Sequence, residues 1–329
     1  MEVKSKMRKI KWGVLGTASI AEEQTIPGMV QAENCELYAI AGRNIKKAER
    51  FKEKFGFEKA YGSYMELLED PEIEAVYIPL PNNMHKEWVI NAARHKKHIL
   101  CEKPLSGSPE DVKEMIEVCD QEGVIFMEAF AYLHSPVIAK IKEQIDNGII
   151  GEVNFIETCF YTPGYDENIR LHRECYGGAL YDLGCYNVTL ASTLYGEFPV
   201  EAKAVSHFTE AGIDDISMGY LVFSGNKKAV FGCGMYPYTR GDRTFVYGKD
   251  GVLEIPVSYN AEGIQKWYLV KGDERTEFTI DIPHNYMLEV VQLGRCITDG
   301  ESPKVNHDFS IGYAETLAKL LDSAGYNEI

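Results

Sequence analysis

Over residues 9 to 130 this chain repeats one pattern: a short, continuous apolar run followed by an amphipathic stretch. Trp12-Gly13-Val14-Leu15, Glu36 to Ala41, Glu74 to Ile78 and His98 to Cys101 are the runs. Ala18 to Gln31 and Lys46 to Phe55 are the clearest helical intervals. A run that does not alternate polar with apolar has to be covered on both faces, which suits parallel strands. Ser108-Pro109-Glu110-Asp111 has the residues that open a further helix, a capping serine followed by proline at the first helical position. Repeated strand–helix units predict a doubly wound parallel sheet.

Beyond about residue 150 the pattern changes. Val153 to Tyr161, Ala202 to Phe208, Met218 to Phe223, Ala229 to Met235, Thr244 to Tyr247, Val252 to Ile255 and Lys266 to Val270 read as strands. Turn sequences such as Ser224-Gly225-Asn226 and Lys271-Gly272-Asp273 separate them. Helices are expected at Ala179 to Tyr195, Asn285 to Thr298 and Ser310 to Ala324. The second half is therefore an α+β domain with a large, mostly antiparallel, open-faced sheet. The boundary is placed between 128 and 129, and the final helix is expected to pack back on the first domain. A length of 329 residues gives each domain a core of its own.

The 34 basic and 50 acidic residues leave a net charge of −16, the wrong sign for a protein that neutralises phosphates along a nucleic acid or an anionic membrane. The eight cysteines form no CxxC pair and are read as reduced thiols, without disulfides or a metal cage. No apolar stretch is long enough for a membrane span and no secretory leader is visible, so a cytoplasmic location is expected. His95-Lys96-Lys97-His98 reads as a solvated helix-to-strand turn. Aromatic residues on one sheet face, with Tyr236 and Tyr238 near its rim, are either core or a dimer surface.

The first run leads into Gly16-Thr17-Ala18-Ser19-Ile20-Ala21. This is the dinucleotide fingerprint G-x-G-x-x-G/A with Ala18 at the second glycine. The first glycine permits a tight turn, the small second and third residues allow close approach, and helix N-terminal amides hold the pyrophosphate. The second run ends Ala41-Gly42-Arg43-Asn44, with no carboxylate where an NAD-specific domain usually grips the ribose. Arg43 offers a guanidinium fork to a 2'-phosphate, so NADP is expected, with NAD as the second choice. A solvated surface arginine is the alternative. Leu80-Pro81-Asn82-Asn83-Met84-His85 and Cys101-Glu102-Lys103-Pro104 follow two further runs, where ligands of open parallel sheets bind.

These residues, together with Tyr61-Gly62-Ser63-Tyr64, Glu128-Ala129-Phe130 and the segment Gly177 to Tyr186, carry a resemblance to the glucose–fructose oxidoreductase / inositol dehydrogenase (Gfo/Idh/MocA) family. The resemblance covers nearly the whole chain in order and spacing. It implies a Rossmann domain, an open-faced sheet domain that forms a dimer interface in many members, and a nicotinamide-dependent alcohol or polyol dehydrogenase. The family's catalytic lysine falls on Lys103, and its D-x-x-x-[HY] pair on Asp182 and Tyr186. Cofactor contacts fall on Gly16, Thr17, Ala18, Ser19, Ile20, Arg43, Leu80, Pro81, Asn82, His85, Glu102 and Lys103; no metal is expected. Tyrosine at the end of the pair makes the chain most similar to the dimeric dihydrodiol dehydrogenase and D-xylose dehydrogenase branch. The segment Phe130-Ala131-Tyr132-Leu133-His134 departs from the family pattern: it lacks an arginine and is shorter by one residue.

Read from spacing alone, Asp182 and Tyr186 share a helix face, which also suits an exposed acid and a core phenol. With Lys103 they supply what alcohol oxidation requires, a group to take the hydroxyl proton as hydride leaves the same carbon. A phenol ordinarily titrates near about 10, and an ammonium helps it ionise. The expected roles are Tyr186 as acid/base, Lys103 as its tuner and Asp182 as substrate-orienting partner. Arg170 and His172 are either substrate contacts or a loop salt bridge. The expectation is an NADP-dependent dehydrogenase of a secondary hydroxyl on a sugar, polyol or trans-cyclic diol, working as a homo-oligomer. The rival readings are a non-catalytic cofactor-binding sensor and a reductase of a non-sugar carbonyl or imine.

Overall fold

The structure is a computed structural model that describes residues 8–235, 241–256, 259 and 262–326. Tyr236 and Tyr238 lie outside the described residues. The chain divides into two compact units. One comprises Met1–Leu105, Glu110–His134 and Pro283–His307, the other Ser106–Pro109, Ser135–Ile282 and Asp308–Ile329.

The first unit is built on six strands: β1 (Ile10–Leu15), β2 (Cys35–Ala41), β3 (Lys59–Tyr61), β4 (Ala75–Ile78), β5 (His98–Glu102) and β6 (Phe126–Ala129). All pair in parallel, in the order β3-β2-β1-β4-β5-β6. The order reverses between β1 and β4, the switch point where doubly wound sheets open a crevice. Ile10, Trp12, Val14 and Leu15 of β1 are all fully buried, as the continuous run requires. Helix Ile45–Phe55 starts where the Asn44 side chain accepts the Lys47 amide, and stops at Gly56 in the left-handed conformation.

The 95–98 turn is not the solvated one expected. Lys97 is buried, and its ammonium donates to the carbonyls of Asp70 (2.7 Å) and Ile73 (2.9 Å). The Asp70 carbonyl also accepts the Ile73 amide (3.3 Å), so the ammonium is a second donor to that loop.

The second unit carries eight strands: β7 (Val153–Tyr161), β8 (Glu201–Phe208), β9 (Asp214–Val222), β10 (Lys228–Gly234), β11 (Gly241–Gly248), β12 (Gly251–Ile255), β13 (Gly263–Lys271) and β14 (Glu274–Ile282). Their order is β14-β13-β12-β11-β7-β10-β9-β8. Every pairing is antiparallel except β7 with β10. Helix Cys185–Tyr195 packs on β7 and β10 at the centre of this sheet. It is apolar nearly all round, so it is buried along its length. On the other face, Val205 pairs with Met218 and Tyr220 with Val230, and all four are exposed.

The last two helices divide differently from the expectation. Helix Asn285–Asp299 joins the first unit, packing on helix Ile26–Gln31; Gly28 lies so close to Tyr286 and Met287 that a Cβ would meet the Met287 amide at 2.7 Å. The final helix, His307–Ser323, groups almost entirely with the second unit: Phe309 meets Phe198, and the Ser323 hydroxyl accepts the Ala204 amide at 2.9 Å. The apolar faces of both helices are strong, and sequence alone does not say which core each one fills.

Candidate active site

In the first unit the fingerprint forms the turn it was read to form. Gly16 sits at φ +131, a conformation that disfavours any side chain, and a Cβ there would lie 3.1 Å from the Leu80 side chain. Its amide donates to Ala41 of β2 (2.9 Å), which fixes the corner at the switch point. Ser19 and Ile20 open the helix, and the buried Ala21 lets it sit close. A cradle this narrow fits a pyrophosphate approached by backbone amides.

Arg43 is exposed beyond β2, next to Gly42, where a Cβ would meet the Thr17 methyl at 3.4 Å and the Asn44 carbonyl at 3.5 Å. Burial pushes the nearby Tyr64 phenol up, and the Arg43 guanidinium beside it acts in the opposite direction. Tyr64 is held edge-on by Trp88, with ring centroids 4.9 Å apart.

The His85 and Glu102 side chains are both buried. His85 is fully buried, with Nδ1 2.9 Å from the Pro104 carbonyl and Nε2 2.9 Å from the Leu80 carbonyl. Burial pushes its imidazole down to about 4, so the ring is neutral at pH 7 and donates through one nitrogen. It lies between the Leu80-Pro81-Asn82 loop and the Glu102-Lys103-Pro104 corner, and its single N–H is given to one of the two carbonyls. Glu102 points inward and accepts from the buried Tyr77 phenol at 2.5 Å; Tyr77 in turn accepts from Thr25 at 2.8 Å. Lys103, the next residue, is half-buried, and its amide donates to the Glu102 carboxylate (3.3 Å). Thr25 and Tyr77 were missed in the sequence because both sit in segments that read as plain helix and plain strand.

The second unit brings Asp182 and Tyr186 together as the spacing requires. They lie on one continuous helical segment whose first part, Leu180–Gly184, is wound more loosely than an α-helix before Cys185–Tyr195 continues it. Both are buried. The Tyr186 ring is walled by Phe160, edge-on at 5.1 Å, and by Tyr259 at 5.0 Å.

Asp182 takes an ion pair from Arg170 at 2.6 Å and a hydrogen bond from Tyr165 at 3.3 Å. Of the two readings of Arg170, the structure shows the salt bridge. His172 is exposed and lies 3.4 Å from Glu174.

The turn before this segment is fixed by a buried carboxylate that sequence gave no sign of. Asp214 accepts from the Leu180 amide (2.8 Å), the Ser217 hydroxyl (2.5 Å) and the Tyr326 phenol. Gly178 sits at φ +118, and a Cβ there would collide with both Asp214 and Tyr326. Burial raises the Asp214 carboxyl to about 6, against the pull of its hydrogen bonds.

Comparison with known proteins agrees with this assembly. Residues 10–130 match the family model described as an oxidoreductase family with an NAD-binding Rossmann fold, and residues 138–254 match the GFO/IDH/MocA C-terminal domain. The chain is 33% identical to a D-xylose 1-dehydrogenase (NADP(+)) of Haloferax volcanii, over 95% of this chain and 97% of that one. It is 30% identical to a trans-1,2-dihydrobenzene-1,2-diol dehydrogenase of Xenopus laevis, over 95% and 96%. Among solved structures, KijD10, a 3-ketoreductase from Actinomadura kijaniata in complex with NADP and TDP-benzene, superposes with a TM-score of 0.90 at 26% identity, covering 96% of this chain and 98% of that one. The chain belongs to the Gfo/Idh/MocA family of oxidoreductases.

Proposed function

We propose that this protein is an NADP-dependent dehydrogenase of a secondary hydroxyl on a sugar, polyol or trans-cyclic diol, with Lys103, Asp182 and Tyr186 as its catalytic residues. The observation that carries the reading is the pair on the second unit's helix: a phenol walled by aromatic rings, four residues from a carboxylate held by a guanidinium. The relatives' names, a D-xylose dehydrogenase and a dihydrodiol dehydrogenase, support the substrate class. The first unit binds the dinucleotide. Its Gly16-to-Ile20 turn takes the pyrophosphate, Arg43 the 2'-phosphate, and the Leu80-Pro81-Asn82 loop and Lys103 face the nicotinamide half. The bound nicotinamide supplies the hydride acceptor, or the donor in reverse.

The chain's own residues handle the proton. Tyr186 takes it from the substrate hydroxyl, Lys103 supplies the positive charge a phenolate needs, and Asp182 orients the sugar. The protein works as a cytoplasmic homodimer through the exposed sheet face that carries Val205, Met218, Tyr220 and Val230.

The test is turnover of NADP+ against aldoses, inositols and trans-cyclic diols, read by nicotinamide absorbance. Lys103→Met and Tyr186→Phe are expected to lower kcat by about 100-fold or more, the usual worth of an acid–base group, with NADP+ still bound. Binding without turnover in either direction would favour the sensor reading, and wild-type turnover in Lys103→Met would remove that residue's role.

A further inference from the structure

Arg170 is tied down at both ends. Its amide and Nη1 donate to the Asn168 side chain at 3.1 and 3.2 Å. Its carbonyl accepts the Gly178 amide (2.9 Å), and Gly177 lies so close to that carbonyl that a Cβ would collide with it. The main chain of Arg170 is thereby joined to the turn that begins the Asp182 segment. The guanidinium then closes over the Tyr165 ring, 5.0 Å from its centroid, and places Nε 2.6 Å from Asp182 Oδ2, the same oxygen that accepts from Tyr165. The Asp182 side chain is only 11% exposed, so solvent screens this pair little.

We infer that Arg170 is a positioning residue that holds Asp182 as a permanent, fixed carboxylate, so that Asp182 accepts a hydrogen bond from a substrate hydroxyl and does not itself carry the reaction's proton. This rests on the dehydrogenase reading above. Among the groups that bear on Asp182 are Arg170 and Tyr165 from the 165–178 segment and Cys233 from β10, while the Cys185 thiol donates to its main-chain carbonyl. Burial keeps the Cys233 thiol neutral, so among these described groups the guanidinium is the cation. An opposite charge this close favours the ionised acid. Losing it removes a counter-charge that lies 2.6 Å from a buried carboxylate, which favours the protonated acid.

The experiment has two readouts on wild type, Arg170→Met, Arg170→Lys and Asp182→Asn. The first needs no turnover: 13C-carboxyl NMR of aspartate-labelled protein, with the Asp182 signal assigned by its loss in Asp182→Asn. Asp182 is expected to stay ionised down to about pH 4 in the wild type and in Arg170→Lys, and to titrate at least two pH units higher in Arg170→Met. The second is the pH profile with NADP+ and the best substrate of the panel. Arg170→Met should raise the substrate KM at least tenfold at pH 8 with kcat changed less than threefold, and add an acid-side loss absent from the wild type. The double variant Arg170→Met/Asp182→Asn should match Asp182→Asn alone.

An unchanged Asp182 titration in folded Arg170→Met overturns the inference, as does additivity in the double variant. Should Arg170→Met fail to fold, Arg170→Lys decides: it keeps the low titration and the wild-type acid side, and loses part of the affinity. A wild type that binds NADP+ without turning over any substrate would defeat the dehydrogenase reading, while the NMR titration still decides the Arg170–Asp182 pairing.

Discussion

In the proposed function, a single charge at Arg43 separates two cofactors. The residue is exposed, stands where β2 ends, and has a glycine on one side and a capping asparagine on the other. A 2'-phosphate gains from a guanidinium fork, whereas a free 2'-hydroxyl gains from a carboxylate. Arg43→Asp should raise the Kd for NADP+ at least tenfold, a loss of about 1.4 kcal/mol, and narrow the gap to NAD+. Displacement of bound NADPH fluorescence by NADP+ and by NAD+ measures it, and unchanged affinities for both would remove Arg43 from the site. The Gly16 turn was legible because it follows from local backbone alone. The Arg170–Asp182 pair and the Thr25–Tyr77–Glu102 chain were not, since their partners lie 12 to 52 residues apart and no periodicity marks them. That the His85 ring is buried between two carbonyls is likewise not visible in the sequence, which shows only a histidine beside a loop.

Among the elements, the corner formed by β5 and the Leu80 loop carries a pH dependence of its own. The His85 imidazole is pushed from an ordinary 6.5 down to about 4, by burial first of all. Between those values the unfolded chain binds a proton that the folded one does not, so this contribution is intact above pH 6.5 and is lost as pH falls toward 4. The shift corresponds to about 3 kcal/mol. His134, also in the first unit and pushed down to about 3 chiefly by burial, acts with the same sign. Asp214 in the second unit acts with the opposite sign, because its carboxyl is raised to about 6.

His85→Gln should therefore lower stability at pH 7 and flatten its decline toward pH 4.5, as read from urea midpoints at the two values. An unaltered slope would mean that His85 is not the group that titrates.

Most strands were visible as apolar or alternating runs, and β7 occupies the residues predicted. The edge strand β14, Glu-Arg-Thr-Glu-Phe-Thr-Ile-Asp-Ile, was missed because its charges hide the alternation, as edge strands require if they are not to recruit another chain. The short β3 and β6 gave no run long enough to notice.

For the whole molecule, the exposed sheet face is the feature that calls for a partner. Val205, Met218, Tyr220 and Val230 form one patch across β8, β9 and β10, and Phe155, Phe245 and Tyr247 form a second row of neighbouring rings across β7 and β11, with Glu157 in register between Val230 and Phe245. Exposed apolar side chains grouped in this way suit an association site. If the proposed homodimer forms through this face, Met218→Asp should give a monomer by sedimentation velocity without loss of secondary structure, and a wild type that sediments as a monomer would remove the dimer.

The broad architecture was legible because two periodicities succeed each other along the chain. The discontinuous first unit was not, because it depends on which core a late helix fills. That discontinuity has a consequence for biosynthesis. The first unit is not finished when residue 134 leaves the ribosome: Tyr286, Val290 and Leu293, buried against it, are still about 150 residues away. The nascent nucleotide unit waits with its Gly28 surface uncovered until the substrate unit has been made, so the two halves of this enzyme mature together rather than in turn.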